Sequence, residues 1–430
     1  MTLPAGAGNR IVTATYAGTW AGLIVDPAVT GAVGSDTDAT GAAAASDAEV
    51  GASAPSPAAY LVQDNTEAAR AVLLHATAGD RETLVVAASR IDDERATQLR
   101  ADGFAVVRGD EVEAATTSRP ADPGRIWLLT SGSTGRPKQV AHTLDSLTTV
   151  GGSQPSRVWL CPYATGAYAW WQVVTMSLAM PGQDVVFVEP SQLDSWPALA
   201  LKHGVTAASG TPTFWRQALW RAGDVVAQLP LEQITLGGEP VDQAILDRLR
   251  EVFPTARISW IYASSEAGAA IVVHDGLAGF PEAWLGRETP GRPALSVVDG
   301  ELVIASPKAA EGMAEGIRTG DRVDIVDGRV LITGRLASDE INVGGSKASA
   351  AKVRAVLLDH PAVAWAAVRG RRAPLVGQVV AGEVVLVPGE TTTDADLIAW
   401  CAERLPDYSV PRRLRVLTEI PIKETLKSDV

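Results

Sequence analysis

The sequence predicts an α/β protein of two domains, and three observations carry that expectation. The 430 residues are enough for two hydrophobic cores. Short β-branched runs alternate with helical stretches, the grammar of parallel strand–helix–strand units. Several predicted strands end in turns rich in glycine and hydroxyl side chains. In open α/β sheets the carboxyl ends of the strands are where ligands bind.

In chain order, "TLVVAA" (83–88) reads as a buried strand, "DDERATQLRAD" (92–102) as a helix and "FAVV" (104–107) as the next strand. "RIWLLT" (125–130) is a strand that runs into a polar turn. "GVTAASGTPTFWRQAL" (204–219) is strand, glycine, helix, with Thr211 placed to cap the helix and Pro212 suited to its first turn. "QITLGGEPVDQAILDRLREVF" (233–253) repeats that pattern, and "RISWIYASSEAG" (257–268) is a strand entering a hydroxyl-rich turn. Residues 26–59 are dominated by Ala, Gly, Ser and Asp, and Lys and Arg are absent from 11 through 69. Side chains this small bury little apolar area, so a flexible surface loop is expected there.

The formal net charge is −13. A nucleic-acid backbone would be repelled, which argues against a DNA or RNA partner. Residues 336–430 hold 12 basic and 12 acidic side chains, so the excess lies in 1–335. Cys161 and Cys401 give neither a disulfide framework nor a zinc pattern. No apolar run reaches the roughly 20 residues a bilayer span needs. The start of the chain lacks a secretory pattern, and a cytoplasmic setting without membrane attachment is expected.

The sharpest feature is "WLLTSGSTGRPKQVAHT" (127–143). Glycines let backbone N–H groups converge on an anion, hydroxyls add adjustable donors, and Lys138 supplies positive charge. The spacing is not that of a P-loop, so a polyphosphate would be held differently. T-S-G-S-T-G-R-P-K resembles the signature of the adenylate-forming superfamily of acyl- and aryl-CoA synthetases, peptide-synthetase adenylation domains and luciferases. The resemblance continues in order through "GGEP" (237–240), "YASSE" (262–266), "RTGD" (318–321), "GRLASDEINVGGSK" (334–347) and "LPDYSVPRRLRVL…IPIKETLK" (405–427).

This resemblance implies a large nucleotide- and acid-binding domain over 1–335 and a small mobile α+β domain over 336–430. It implies that Thr130, Ser131, Gly132, Ser133, Thr134, Gly135 and Lys138 hold the ATP phosphates. Gly238, Glu239 and Pro240 would form the adenine-side loop, with Tyr262, Ala263 and Ser264 beside it. Ser265 would stand near the α-phosphate and Glu266 would ligate Mg²⁺. Asp321 would accept from the ribose hydroxyls and Arg335 would contact ribose or phosphate. Lys427 would be the adenylation lysine, offsetting the charge that builds as a carboxylate attacks the α-phosphate. Ala337, Ser338 and Asp339 form the hinge window, and Gly345 and Lys347 would enter the site with a thiol acceptor.

The family pattern departs at Ala263 and Leu426, where glycines are usual, and at Ser265, where threonine is usual. For the acid pocket, Tyr163, Trp170, Trp171, Gly210 and Thr211 are the expected lining. Trp170 and Trp171 are adjacent on a predicted helix and face different ways, with core packing expected for either alone. An aryl or medium apolar acid fits a tryptophan-rich wall. The implied reaction joins the acid to AMP from ATP, then passes the acyl group to CoA or to the phosphopantetheine thiol of a carrier protein. Amide ligation, nitrite activation and a non-catalytic nucleotide-binding role are the alternative readings, and the sequence gives no oligomeric state.

Overall fold

The computed structural model describes residues 2–25, 56–130, 138–314, 316–336, 339–373, 377–423 and 426–428. The chain divides into two compact units, Met1–Trp196 and Pro197–Val430. Strands and helices are mixed in both, as the sequence predicts. Among the described residues no helix is long and apolar enough to cross a membrane.

The strands of the first unit are β1 (Arg10–Val12), β2 (Ala17–Thr19), β3 (Ala58–Val62), β4 (Thr83–Ala87), β5 (Ala105–Arg108), β6 (Glu111–Glu113), β7 (Ile126–Thr130), β8 (Lys138–His142), β9 (Arg157–Cys161) and β10 (Gln183–Phe187). Its main helices are α1 (Asn65–Ala78), α2 (Asp93–Ala101) and α3 (Tyr168–Ala179). One sheet has the order β6-β5-β3-β4-β7-β8. Elsewhere in the unit β9, β10 and β1 pair in parallel and β2 closes antiparallel on β1. Asp64 caps α1 by accepting from the N–H groups of Thr66 and Glu67, and Gly79 ends it at φ 73°. Leu61, Leu84, Leu99, Phe104 and Val106 form the core between α2 and the first sheet.

The expected loop over 26–59 is corrected at its end. Residues 26–55 lie outside the described residues, but Ala58 and Ala59 are buried in β3, paired in parallel to both β4 and β5. Two alanines alone bury little area. Followed by Tyr60-Leu61-Val62 and flanked by two strands, they suit a central strand whose neighbours crowd it.

The second unit contains β11 (Ala207–Gly210), β12 (Gln233–Gly237), β13 (Arg257–Ser264), β14 (Gly268–Val273), β15 (Phe280–Pro281), β16 (Ala294–Val298), β17 (Glu301–Ala305), β18 (Ile317–Val326), β19 (Arg329–Arg335), β20 (Glu340–Val343), β21 (Ser346–Ser349), β22 (Val363–Ala373), β23 (Gly377–Leu386) and β24 (Arg413–Leu417). Its main helices are α4 (Pro212–Val226), α5 (Gln243–Val252), α6 (Ala350–Leu358) and α7 (Asp394–Ala402). β11, β12 and β13 are parallel, so their polar turns emerge at one edge. β15 to β19 form a second, antiparallel sheet. β20 to β24 form a third, packed on α6 and α7 through Val353, Leu357, Val384 and Leu397.

α4 ties this third sheet to the parallel strands. Trp220 packs against Trp365, Ala367, Val385 and Ile420, and its indole N–H donates to the Leu386 carbonyl at 3.0 Å.

The most concentrated polar contact of the first unit is the buried Glu82 carboxylate. It accepts from two Arg119 nitrogens, the Asp122 N–H and the Trp127 indole, each at 2.7 Å. Burial works to raise its pKa, yet these donors together hold it below the ordinary value of 4.5. Its contribution to stability is therefore present above about pH 4.5 and lost as pH falls below it. Glu82→Gln should cost about 3 kcal/mol in urea unfolding at pH 7. The gap between wild type and variant should narrow in the same measurement below pH 4.5.

Candidate nucleotide and acid site

The T-G-D segment is an irregular, braced stretch of β18, where the ladder to β17 shifts register. Gly320 takes φ 73° and donates its N–H to buried Glu301 at 2.8 Å. Thr319 donates to the Leu302 carbonyl and accepts from the Asp321 N–H. Asp321 lies directly opposite Arg335 in the β18–β19 ladder. That register produces the ion pair from Arg335 Nε to Asp321 Oδ1 at 2.9 Å. The Tyr262 hydroxyl donates to Asp321 Oδ2. Burial raises the Asp321 pKa, while Tyr262 and Arg335 oppose that shift. The Tyr262 phenol is pushed up by burial and by the Asp321 carboxylate. The product is a fixed, oriented carboxylate acceptor backed by a guanidinium.

The carboxyl ends of β11 and β12 meet the last residues of the described chain. Thr211 caps α4 by accepting from the Phe214 N–H, and its hydroxyl donates to the Leu426 carbonyl. Gly238 takes φ 83°, and a Cβ there would come within 3.3 Å of Lys427 Cε and 3.6 Å of Nζ. Glycine therefore serves both the backbone conformation and the passage of the lysine. Surrounding protein lowers the Lys427 pKa, Glu239 raises it and Arg335 lowers it further. Lys427 is nevertheless exposed to solvent.

Leu426 holds φ 61° although it is not glycine. Its side chain is fully buried, which offsets the roughly 1–2 kcal/mol of the left-handed conformation. The leucine in place of the family glycine thus keeps the turn that glycine would make.

After β13, which ends at Ser264, the chain turns through Ser265, Glu266 and Ala267. Ser264 accepts from the Ala267 N–H, and the Glu266 carbonyl accepts from the Ala310 N–H. Ala263 sits at the irregularity where the β13–β14 register shifts. Glu239 does not simply edge the loop with Gly238 and exposed Pro240. Its carboxylate accepts from Thr213 and Ser428.

The other expected residues fall as follows. In the first unit Thr130 ends β7 opposite exposed Lys138, which begins β8, while Ser131 to Gly135 lie outside the described residues. Tyr163 is buried, and Trp170 and Trp171 are both fully buried with ring centroids 5.2 Å apart. Trp170 donates to Asn65 Oδ1 at 2.7 Å, so its polar edge is used internally. In the second unit Gly210 is buried where a Cβ would strike Phe214. Asp339 accepts from the Ser349 hydroxyl and the Ala351 N–H, both at 2.6 Å, bracing the start of α6. Its hinge neighbours Ala337 and Ser338 lie outside the described residues. Gly345 takes φ 92° in open space, and Lys347 pairs with Glu340 at 2.9 Å.

Sequence reasoning missed Thr213, Ser428, Trp220 and Trp365. Only Ser428 carried a signal, its place directly after Lys427.

The family model for AMP-binding enzymes matches residues 37–312, and that for the AMP-binding enzyme C-terminal domain matches 352–427. The chain belongs to this family. It is 29% identical over 357 residues to surfactin synthase subunit 1 of Bacillus subtilis, covering 70% of this chain and 10% of that protein. It is 28% identical over 329 residues to 2-succinylbenzoate–CoA ligase of Geobacillus kaustophilus, covering 68% of this chain and 65% of that one. The chain thus spans less than two thirds of the length of either. Its fold is also that of the anthranilate CoA ligase AuaEII in complex with anthranoyl-AMP, with TM-score 0.71, 17% identity and coverage of 98% and 92%.

Gly238→Ala should cost about 1–2 kcal/mol in chemical denaturation from the left-handed backbone alone. It should also shift the Lys427 signal of ¹³C-methylated protein toward that of a free lysine, because the new methyl occupies the lysine's path.

Proposed function

We propose that this protein activates a carboxylic acid with ATP, forming acyl-AMP and pyrophosphate, and then transfers the acyl group to a thiol. The observation that carries this reading is the approach of Lys427 to Gly238, with the charge of Arg335 acting on the lysine. Family membership supports the nucleotide, and the Tyr262–Asp321–Arg335 cluster supports a ribose-bearing ligand.

In this reading Asp321 accepts from the ribose hydroxyls, with Tyr262 and Arg335 holding the carboxylate in place. Gly238 and Pro240 edge the adenine, Ala263 and Ser264 shape the turn beside it, and Ser265 stands by the α-phosphate. Thr130, Ser131, Thr134 and Lys138 are assigned to the phosphates. As the acid attacks the α-phosphate, negative charge gathers on its oxygens. An ammonium held at Lys427 stabilises that charge more than it stabilises the ground state, which lowers the barrier.

Mg²⁺ fits this site on one condition. Among the described residues no group of three or more His, Cys, Asp or Glu could hold a metal. The ion would therefore be held by Glu266 together with nucleotide oxygens, as a hard cation that keeps few protein ligands allows. When bound it would neutralise phosphate charge.

The second step calls for the small domain, residues 336–430, to turn about the 337–339 window and withdraw Lys427, bringing Gly345 and Lys347 toward the thiol. The acceptor proposed is CoA or a phosphopantetheine arm of a carrier protein. The acid proposed is an aryl or medium apolar one. The 2-succinylbenzoate–CoA ligase is named for an acid and an acceptor of these classes.

ATP–pyrophosphate exchange across aryl, aliphatic and amino acids tests this reading directly. Exchange should appear with an aryl or medium apolar acid, and AMP release should then depend on added thiol. Lys427→Ala should lower exchange at least about 100-fold while ATP binding by calorimetry stays within a few fold. Normal exchange in that variant would remove Lys427 from the reaction. Glu266→Gln should raise the magnesium concentration needed for half-maximal exchange.

A further inference from the structure

The partners of Glu239 suggest a task other than lining the adenine. Its Oε1 accepts from the Ser428 N–H at 3.0 Å and from the Thr213 hydroxyl at 3.1 Å, and its Oε2 accepts from the Thr213 N–H at 3.0 Å. The Ser428 hydroxyl lies 3.0 Å from that of Thr213 and accepts from the Trp365 indole at 3.1 Å. On the other side of Lys427, the Leu426 carbonyl accepts from Thr211. The Lys427 carbonyl itself accepts from the Lys423 N–H at 2.9 Å. Both neighbours of the lysine are therefore fastened to the first turn of α4, one directly and one through Glu239.

We propose that Glu239 is a positioning residue that latches the tail at Ser428 and so holds Lys427 against Gly238 for adenylation, a latch that must open before the small domain can turn. This rests on the adenylation reading above. The Leu426 N–H and carbonyl, the Lys427 carbonyl and the Ser428 N–H are bonded to Lys423, Thr211 and Glu239, so the lysine's origin is fixed even though its side chain is exposed. A carboxylate suits the position twice over. It sits where the N-terminal N–H groups of α4 favour negative charge. Its charge also favours the Lys427 ammonium, which Arg335 disfavours. Arg354 of α6 and Asp242 stand in the same charge cluster, with Arg216 bound to Asp242 at 2.6 Å.

The latch can be tested without knowing the acid. Trypsin cleaves after lysine only when the peptide can leave its hydrogen bonds and extend. The peptide between Lys427 and Ser428 is bonded at both its carbonyl and its N–H. Wild type, Glu239→Gln and Glu239→Ala should be digested as full chains and release of residues 428–430 followed by mass spectrometry. Both variants should release the tripeptide at least about ten-fold faster, with cleavage elsewhere unchanged. Equal rates in Glu239→Gln, which keeps shape and loses charge, would overturn the latch. Competitive labelling with acetic anhydride across pH gives a second readout. The apparent pKa of Lys427 should fall in Glu239→Gln, where removal of the carboxylate leaves Arg335 unopposed, and an unmoved pKa would overturn the placing of the lysine within the carboxylate's field. Exchange assays across aryl, aliphatic and amino acids complete the set. Wild type silent across acids with its tail protected would defeat the adenylation reading and leave the latch standing, whereas active wild type with equal tryptic rates would do the reverse.

Discussion

The first turn of α4 is the tie on which the second unit depends. A helix begins with N–H groups that have no partner within it. Here Thr211 satisfies one by capping, Pro212 lacks the donor altogether, and Glu239 takes the N–H of Thr213. The same turn reaches outward, since the Thr211 hydroxyl also holds the Leu426 carbonyl. Further along the helix Arg216 holds Asp242 and Trp220 anchors the small sheet. One element emerging from β11 thus fixes the loop after β12, the tail that carries Lys427 and the sheet from which that tail departs. Its cap, its charge partners and its apolar face answer three different demands with neighbouring residues.

Legibility in the sequence followed range. Thr211 as cap and Pro212 in the first turn were readable because capping is local, and the structure has both. The strands over 83–87, 126–130, 233–237 and 257–264 were readable because β-branched runs between turn residues have few other solutions. β3 was obscured because Ala58 and Ala59 continue the composition of the segment before them. Their burial is conferred by β4 and β5, which lie later in the chain. Within the site, the resemblance supplied Asp321, Arg335, Tyr262 and Lys427, and the β18–β19 register explains why two of these meet. The partners of Glu239 could not be read, because Thr213 lies 26 residues before it and Ser428 189 after it. No periodicity links positions so far apart. Trp220 meets Trp365, Ala367 and Val385, which lie far later in the chain, and only the folded structure shows that contact.

Leu426 shows how a departure from a family pattern can preserve its geometry. A left-handed residue favours glycine, and a leucine there is held only if something over-determines it. Full burial of its side chain and the hydroxyl bond to its carbonyl do so. The replacement also removes freedom from the tail when it is released, so the cost in the folded state is partly matched in the open one.

The charges around Lys427 bear on why a protein of net charge −13 would receive a polyanion. The overall field opposes approach, so affinity must be local. Burial depresses the lysine and Arg335 adds to that, while Glu239 opposes it; Arg335 itself is paired with Asp321. In the resting protein the carboxylates keep the two cations from driving each other away. An incoming phosphate adds the charge that both cations lack and relieves their mutual repulsion, a gain unavailable to a neutral ligand. Further charge developing on that phosphate during attack would strengthen both attractions at once, without moving either side chain. Asp321 is already paired with Arg335 and bonded by Tyr262, and Glu239 is held by the start of α4, so both carboxylates have fixed places beside the cations.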